Sequence, residues 1–296
     1  LYRLAHTLAE RSEIEVAVLT SVDARQVKNG DRIELFASID SWGINKLGKI
    51  FLFIRSWKPD IVHVQYPTRG YSIAPGYLPT LMRSLLPLLA FVSGCRVVQT
   101  WHEYVPQQFV ALPFFLLRAL VPSDIVVVRP DFPCHLRPVV SRLLKHKSII
   151  NIRSASTIPR IDIDEAELRR VRQKYLGHQQ RLIVFFGFIF PHKGADLVLD
   201  IANPRTDRVV LAGGHDDETD FIRQLKGRIG TEPWKGKAML VGFLSAREIS
   251  SLLSAADAVV LPFRGHGSGD WNSSLQAAFA HNCFVVTTSS IRQGFD

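Results

Sequence analysis

Short apolar runs rich in β-branched residues alternate with longer helical patterns along almost the whole chain, and this alternation limits the possible folds more than any other feature. In the first half the predicted strands are residues 14–20, 61–65, 96–100, 124–128 and 148–152. Predicted helices follow at residues 42–57, 78–92, 107–120 and 133–144. Helices of this length connect parallel strands, so the pattern predicts a parallel sheet with helices on both faces.

The alternation lapses once, at residues 153–164, where Ser, Pro and Asp replace the apolar pattern. After a charged helix at 165–175 it resumes, with predicted strands at 182–186, 208–212, 238–241, 258–261 and 284–287. We therefore predict an α/β protein with two tandem Rossmann-like domains, residues 1–156 and 157–296. Ligands of such sheets bind beyond the carboxyl ends of the strands, which predicts a site in a cleft between the domains. A sugar epimerase, a phosphorylase or a two-lobed binding protein would fit this architecture as well.

The amino-acid composition favours some classes of binding partner over others. The 296 residues are 47% hydrophobic, enough for two buried cores. Lys and Arg number 36 against 27 Asp and Glu, so a formal charge of +9 favours anionic partners. The basic residues are dispersed and follow no nucleic-acid-binding motif, which makes nucleic acid the least favoured partner. The three cysteines lie far apart, which argues against a disulfide framework or a zinc site and favours the cytoplasm.

Both ends of the sequence fall inside the predicted pattern. Leu1, Leu4 and Leu8 have helical spacing, so the chain opens within an amphipathic helix. At the other end, the strand near residues 283–288 is followed by no closing helix. We expect both ends to be truncations, with an amino-terminal strand missing.

The loop after the strand at 182–186 carries the most informative chemistry. It reads Gly-Phe-Ile-Phe-Pro-His-Lys-Gly from Gly187 to Gly194 and is followed by a predicted helix. Gly187 permits close backbone approach, and Lys193 places an ammonium group at a helix N-terminus, where phosphate binds well. An ordinary turn with a solvated lysine explains the spacing equally well.

Glycines also follow the next two strands. Gly213 and Gly214 end one strand, and Gly242 with Phe243 ends the next. Most glycines at strand ends mark turns rather than ligand contacts, and that alternative stays open for them. Ser245 and Glu248 then have the spacing of a capping box.

A glycine-rich loop precedes the last predicted helix. Three glycines lie between Arg264 and Asp270, and Asp270, Asn272 or Ser273 can cap the helix that follows. The amides near Asn272, Ser273 and Ser274 could bind a phosphate. Capping alone would explain Asn272 and Ser273, but a glycine loop of this length is typical of a functional site.

Together these loops resemble the carboxyl-terminal domain of glycosyltransferase family 4, which has the two-domain B-type fold. The family places a Lys-Gly pair before a helix, matched by Lys193 and Gly194, and its lysine contacts the donor diphosphate. A later glycine and an Ala-Asp-strand-Pro pattern are matched by Gly242, by Ala256 with Asp257, and by Pro262.

The resemblance extends into the first half and covers almost all of the sequence. Asp60-Ile-Val-His-Val-Gln and Thr100-Trp-His-Glu resemble two of the family's strands. His102 matches a histidine that the family uses near the sugar and leaving phosphate, with Glu103 beside it. The resemblance implies a retaining transfer of a hexose from a nucleoside-diphosphate sugar to a sugar or lipid-linked hydroxyl acceptor, in polysaccharide or glycolipid synthesis. No cofactor other than the donor and no metal site is expected.

Departures from the family pattern keep two other functions open. Phe188 stands where an arginine often follows the loop glycine, and the family's paired glutamates would fall on Ser268 and Gln276. A catalytically silent binding or scaffold subunit would tolerate both changes. A nucleotide-sugar epimerase is less favoured, because it would need further acid and base carboxylates.

Two further interpretations concern residues outside these loops. His63 lies in an apolar strand and is predicted to be a hydrogen-bonded core histidine. The basic residues of 137–147, with the apolar segment 109–120, could bind an anionic membrane surface at the inner face of the cytoplasmic membrane.

Overall fold

The computed structural model describes residues 2–22, 32–40, 44–66, 84–102, 112–128, 138–152, 155–264 and 272–288. The chain divides into two compact units, Leu1–Arg153 and Ser154–Asp296. Each unit contains its own parallel sheet or sheets and its own hydrophobic core.

The first unit contains six described strands in two parallel sheets. The strands are β1 (Val16–Ser21), β2 (Ile33–Ile39), β3 (Ile61–Tyr66), β4 (Arg96–Trp101), β5 (Asp124–Val127) and β6 (Ile149–Asn151). The described helices are α1 (Tyr2–Ala9), α2 (Ile44–Trp57), α3 (Leu86–Val92), α4 (Leu112–Leu120) and α5 (Pro138–Leu144). Strands β1 and β2 form one sheet, and β3-β4-β5-β6 form the other in that order. Trp101 and Ile125 are among the most deeply buried side chains of this unit.

The second unit is a single five-stranded parallel sheet with helices in its crossovers. Its strands are β7 (Arg181–Phe186), β8 (Asp207–Ala212), β9 (Ala238–Gly242), β10 (Ala258–Leu261) and β11 (Val285–Thr287). Its helices are α6 (Glu165–Leu176), α7 (Val198–Ile201), α8 (Asp220–Gly230), α9 (Ala246–Ala255) and α10 (Ser273–Ala280). The spatial order is β11-β10-β7-β8-β9. Strand order therefore reverses between β7 and β10, as at the switch point of a Rossmann fold.

Burial explains why the strands of the second unit read as continuous apolar runs. Leu182, Val184 and Phe185 of β7 are almost completely inaccessible to solvent, as are the residues Val209–Leu211 of β8. A parallel sheet covered by helices on both faces buries both sides of each strand, so no polar alternation remains. The expected doubly wound architecture of this half is confirmed.

Two elements differ from the sequence prediction. Strand β2 was not predicted, although Ile33, Leu35 and Ile39 lie within it, and it pairs with β1 from Val16 to Ser21. Its only fully buried side chain is Ile39, so its sequence lacks the apolar run of a central strand. The helix predicted near Asp196 is the second difference: two short 3-10 turns precede α7, which has only 4 residues.

The capping box predicted at the start of α9 is confirmed. The Glu248 amide donates to Ser245 Oγ at 3.3 Å, and the Ser245 amide donates to Glu248 Oε2 at 2.9 Å. We expect Ser245→Ala to lower the free energy of unfolding by about 1 kcal/mol, because one amide of the first turn loses its acceptor. Urea denaturation measures this loss. Ser245→Thr, which keeps an acceptor oxygen, should stay close to the wild type, and equal losses in both variants would contradict the capping role.

Candidate functional site

Glycines end three adjacent strands at the carboxyl edge of the second unit's sheet. The Gly187 amide donates to Ala212 O at 3.0 Å, and the Gly213 amide donates to Gly242 O at 2.9 Å. A Cβ added to Gly213 would lie 1.8 Å from Gly187 O. Only a residue without a side chain fits there, so Gly213 is required by the packing of β8 against the loop after β7. A glycine in a simple solvent-exposed turn would not have this constraint.

The loops after β7 and β10 meet at the switch point of the sheet. Gly194 has a φ of +71°, and a Cβ there would lie 2.0 Å from Pro262 O. On the other side, a Cβ on Gly187 would lie 2.6 Å from Ser274 Oγ at the start of α10. The structure thus places Gly187 against Ser274 and Gly194 against Pro262, residues distant in sequence, beyond the carboxyl ends of β7 and β10, where open α/β sheets bind ligands.

Lys193 lies within this group of loops, with its ammonium nitrogen 5.2 Å from the centre of the Phe263 ring. Desolvation by the surrounding protein lowers the pKa of Lys193 from its ordinary value of 10.5. A partly desolvated ammonium over an aromatic face gains more from an anionic ligand than a fully hydrated one does. This lysine is therefore suited to a diphosphate.

The local structure around Lys193 corrects one expectation. Lys193 ends a 3-10 turn, Pro191–Lys193, rather than standing before a regular α-helix. Gly194, in the left-handed conformation, separates this turn from the next, Ala195–Leu197. The predicted helix N-terminus is therefore absent at Lys193, and its side-chain charge, not a helix dipole, is what this loop can offer to an anion.

A salt bridge that the sequence analysis did not identify joins the two loops. The Arg264 guanidinium donates to both carboxylate oxygens of Asp196, each at 2.6 Å, and to Pro191 O at 3.1 Å. The Arg264 amide also donates to His192 O at 2.9 Å. The hydrogen bond to Asp196 raises the pKa of Arg264. Bidentate pairing of this kind fixes geometry, so Arg264 holds the Lys193 loop against the strand end at Pro262.

The start of α10 corrects a second expectation. Asn272 is the N-cap, and its side-chain oxygen accepts from the Ser274 amide at 2.8 Å. That amide is consequently engaged by the cap, so it cannot also belong to the predicted phosphate cradle. The Ser274 hydroxyl, next to Gly187, is the group of this residue that lies at the site. Ser273 is the first residue of α10, and Asp270 lies outside the described residues.

Exposed aromatic rings lie beside the glycine edge. Phe188 is 60% exposed, and its ring is 3.3 Å from the position of a Cβ on Gly214. The Phe188 and Phe190 rings stack with centroids 5.9 Å apart, and the His192 ring stacks on Phe190 at 5.7 Å. Phe243, which follows Gly242, is 80% exposed. The position held by arginine in the resembled family is therefore occupied here by an exposed aromatic surface.

His102 lies in the first unit, directly after β4. Its Nε2 is 2.7 Å from Gln65 Oε1 at the end of β3, a partner that the sequence analysis did not identify. His63 is partly exposed on β3, so its expected core position is wrong, but its predicted hydrogen bonding is confirmed, since its Nε2 lies 2.7 Å from Thr100 Oγ1. Glu103 lies outside the described residues.

The described residues contain neither a membrane-spanning helix nor a metal-binding cluster. No described helix combines the length and the apolar composition needed to cross a bilayer. Among the described residues, no group of three or more His, Cys, Asp or Glu side chains could hold a metal ion. The absence of a metal requirement remains a prediction.

Comparison with known proteins identifies the fold. No protein-family model and no curated protein sequence matches this chain. Among solved structures, HepE from Anabaena in complex with UDP and glucose is similar at a TM-score of 0.61 and 14% identity, over 87% of this chain and 67% of HepE. Sucrose-phosphate synthase from Thermosynechococcus elongatus is similar at a TM-score of 0.65 and 15% identity, over 97% of this chain and 74% of the synthase.

A third structure, the amino-terminal domain of trehalose-6-phosphate phosphatase from Candida albicans, has a TM-score of 0.64 and 13% identity, over 95% of this chain and 76% of that domain. In the HepE structures the chain spans 63% to 67% of the length of its match. The predicted fold class is confirmed: the two Rossmann-like units are those of the B-type glycosyltransferase fold. At these identities the likeness establishes the fold and leaves the activity to the site.

Proposed function

We propose that the chain is a glycosyltransferase that takes a sugar from a nucleoside-diphosphate sugar. The observation that carries the proposal is the close packing of two loops at the switch point of the second unit's sheet: the loop with Gly187, Lys193 and Gly194 contacts Ser274 on one side and Pro262 and Phe263 on the other. This is where an open α/β sheet binds nucleotides, and the only cation among these residues is the desolvated ammonium of Lys193.

The arrangement suits a reaction in which a diphosphate leaves. As the bond between sugar and phosphate breaks, negative charge grows on the phosphate oxygens, and a cation held in position stabilises that charge. Lys193 supplies the charge, the Arg264–Asp196 salt bridge fixes its loop, and the Ser274 hydroxyl can donate a hydrogen bond. The glycines at the strand ends let the loops that carry these groups pack closely against one another. We propose that these groups act without a metal ion.

The resemblance and one structural neighbour support a proposal for the donor and for the rest of the site. HepE is crystallised with UDP and with UDP-glucose, which supports a uridine nucleotide and a hexose as the first donor to test. We assign Gly213, Gly242, Phe243, Asp270, Asn272 and Ser273 to the surroundings of the donor. His102 and Glu103 are proposed to act at the sugar, with retention of configuration.

The acceptor is proposed to be a hydroxyl of a sugar or lipid-linked sugar, in polysaccharide or glycolipid synthesis. The formal charge of +9 favours an anionic surface as the place of action. We accordingly propose a cytoplasmic protein that binds the inner membrane face peripherally. Sedimentation with vesicles of anionic and of neutral lipid at low salt would test the membrane part separately from catalysis.

Donor turnover tests the proposed activity. The protein is incubated with UDP-glucose and with the guanosine and adenosine counterparts, and release of the nucleoside diphosphate is followed by chromatography, with and without simple sugar acceptors. We expect one nucleotide series to be turned over and Lys193→Ala to lose most of that turnover. Lys226→Ala, which removes an exposed lysine paired with Asp217, should retain it. Binding of a nucleotide without any turnover would instead indicate a silent binding subunit.

A further inference from the structure

Four polar side chains form a ladder on one face of the first unit's larger sheet. His63 and Gln65 alternate along β3, and Thr100 and His102 alternate along the end of β4. The parallel register places Gln65 opposite Thr100. Alternate residues of a strand share a face, so all four side chains can touch across the two strands.

The Gln65 amide determines which group donates and which accepts in the hydrogen bonds of the ladder. Its oxygen can only accept and lies 2.7 Å from His102 Nε2. Its nitrogen can only donate and lies 2.9 Å from His63 Nε2 and 3.3 Å from Thr100 Oγ1. A donor therefore faces His63, and an acceptor faces His102.

This direction decides where each ring carries its proton. His102 must hold a proton on Nε2 to donate to the Gln65 oxygen. His63 must present a lone pair at Nε2, where the Thr100 hydroxyl, 2.7 Å away, can also donate to it. A neutral imidazole carries one proton, so His63 then carries it on Nδ1.

The electrostatics of the pair agree with a neutral His63. Burial is the main cause of a lowered pKa at His63, although part of the residue is exposed, and the nearby His102 lowers that pKa further. A protonated His63 would also bring an N–H against the Gln65 N–H. The neutral form is the one that keeps the ladder intact.

We infer that Gln65 is a positioning residue, which keeps a proton on Nε2 of His102 and holds His63 in the neutral tautomer protonated at Nδ1. If the proposed function is correct, the consequence concerns the role of His102. When His102 is neutral, its lone pair lies on Nδ1, so at that atom the ring can only accept a hydrogen bond. It cannot donate to a phosphate oxygen from that atom unless it first gains a proton.

The tautomers can be measured directly, without substrate, by long-range ¹H–¹⁵N correlation spectra of the protein labelled in its histidine rings. His63→Gln and His102→Gln identify the two signals by their loss. At a pH high enough to leave both rings neutral, we expect His102 to show the pattern of a single Nε2–H tautomer and His63 that of a single Nδ1–H tautomer. The reverse pair, or a mixture at His102, would overturn the inference.

Two substitutions of Gln65 separate its roles. Gln65→Glu keeps an acceptor for His102 and removes the donor to His63, so His102 should keep its pattern while His63 gains a proton on Nε2. Gln65→Leu removes the acceptor for His102 and the donor to His63, and the Nε2–H tautomer of His102 should become less populated. Gln173→Leu, a change of an exposed glutamine on α6 in the other unit, should leave both signals unchanged. An unaltered His102 pattern in the spectrum of Gln65→Leu would also overturn the inference.

The inference and the proposed function can fail separately. Failure to bind or turn over any nucleotide would count against the proposed function alone, since the spectra need no ligand.

Discussion

Gly213→Ala should lower the free energy of unfolding by about 3 kcal/mol. A methyl group there would lie 1.8 Å from the carbonyl oxygen and 2.6 Å from the carbonyl carbon of Gly187. Those atoms belong to the backbone of the neighbouring loop and cannot rotate away, so β8 and the Gly187 loop would have to separate. Overpacking of this kind typically costs 1–3 kcal/mol and more where the backbone must move. The midpoint and slope of urea denaturation measure the loss.

Gly227 provides the matched control. It lies within helix α8, and nothing comes within 4 Å of the position its Cβ would take. Gly227→Ala should raise the free energy of unfolding by about 0.5–1 kcal/mol, because alanine loses less conformational entropy in a helix. A Gly213→Ala protein as stable as Gly227→Ala would show that the edge of the sheet is not packed as described.

Lys193→Ala should weaken the binding of the preferred nucleoside diphosphate about 10- to 150-fold. Hydrogen bonds to charged groups contribute about 1.5–3 kcal/mol, and this ammonium is already partly desolvated, so the ligand need not strip all of its water. Isothermal calorimetry on both proteins gives the ratio of the dissociation constants.

Two controls limit the interpretation of that loss. Lys226→Ala removes a lysine of the same unit, one that is paired with Asp217 at 2.9 Å, and should leave the affinity almost unchanged. An equal loss in both variants would mean that net charge, not the position of Lys193, governs binding.

The pH dependence of the affinity gives a second control. Because burial lowers the pKa of Lys193 below 10.5, the wild-type affinity should fall as the pH rises through that lowered pKa, and Lys193→Ala should lack this fall.

Strands that are buried on both faces could be predicted from the sequence. Strands β7, β8 and β10 are covered on both faces, so each appears as an apolar run whose predicted bounds agree with the structure to within about a residue. Strand β2 buries only Ile39 fully and, among the strands that the structure describes, pairs only with β1, and its mixed sequence gives a weak signal. The helix after Gly194 was overestimated because periodicity does not reveal a left-handed residue that interrupts it.

Of the candidate site, the glycines and the lysine could be predicted from the sequence, but the contacts between residues distant in sequence could not. Lys193 and Gly194 have a recognisable local spacing. Arg264 and Asp196 are 68 residues apart, and Gln65 and His102 are 37 apart, so no local pattern records their contact. Such pairs depend on strand order and register, which the sequence determines only through the packed fold.

Locating the bound nucleotide on the chain is the decisive test of the proposed donor site. The protein, labelled with ¹⁵N in glycine alone, is titrated with UDP and the amide signals are followed in a two-dimensional spectrum, with signals assigned by ¹³C labelling of the preceding residue. We predict that the signals of Gly187, Gly194 and Gly213 move together and saturate, while those of Gly227 and Gly230 in α8 stay in place. If no glycine signal moves with UDP, GDP or ADP, or if only Gly48 and Gly94 of the first unit respond, the second unit does not hold the donor site and the proposed function is contradicted.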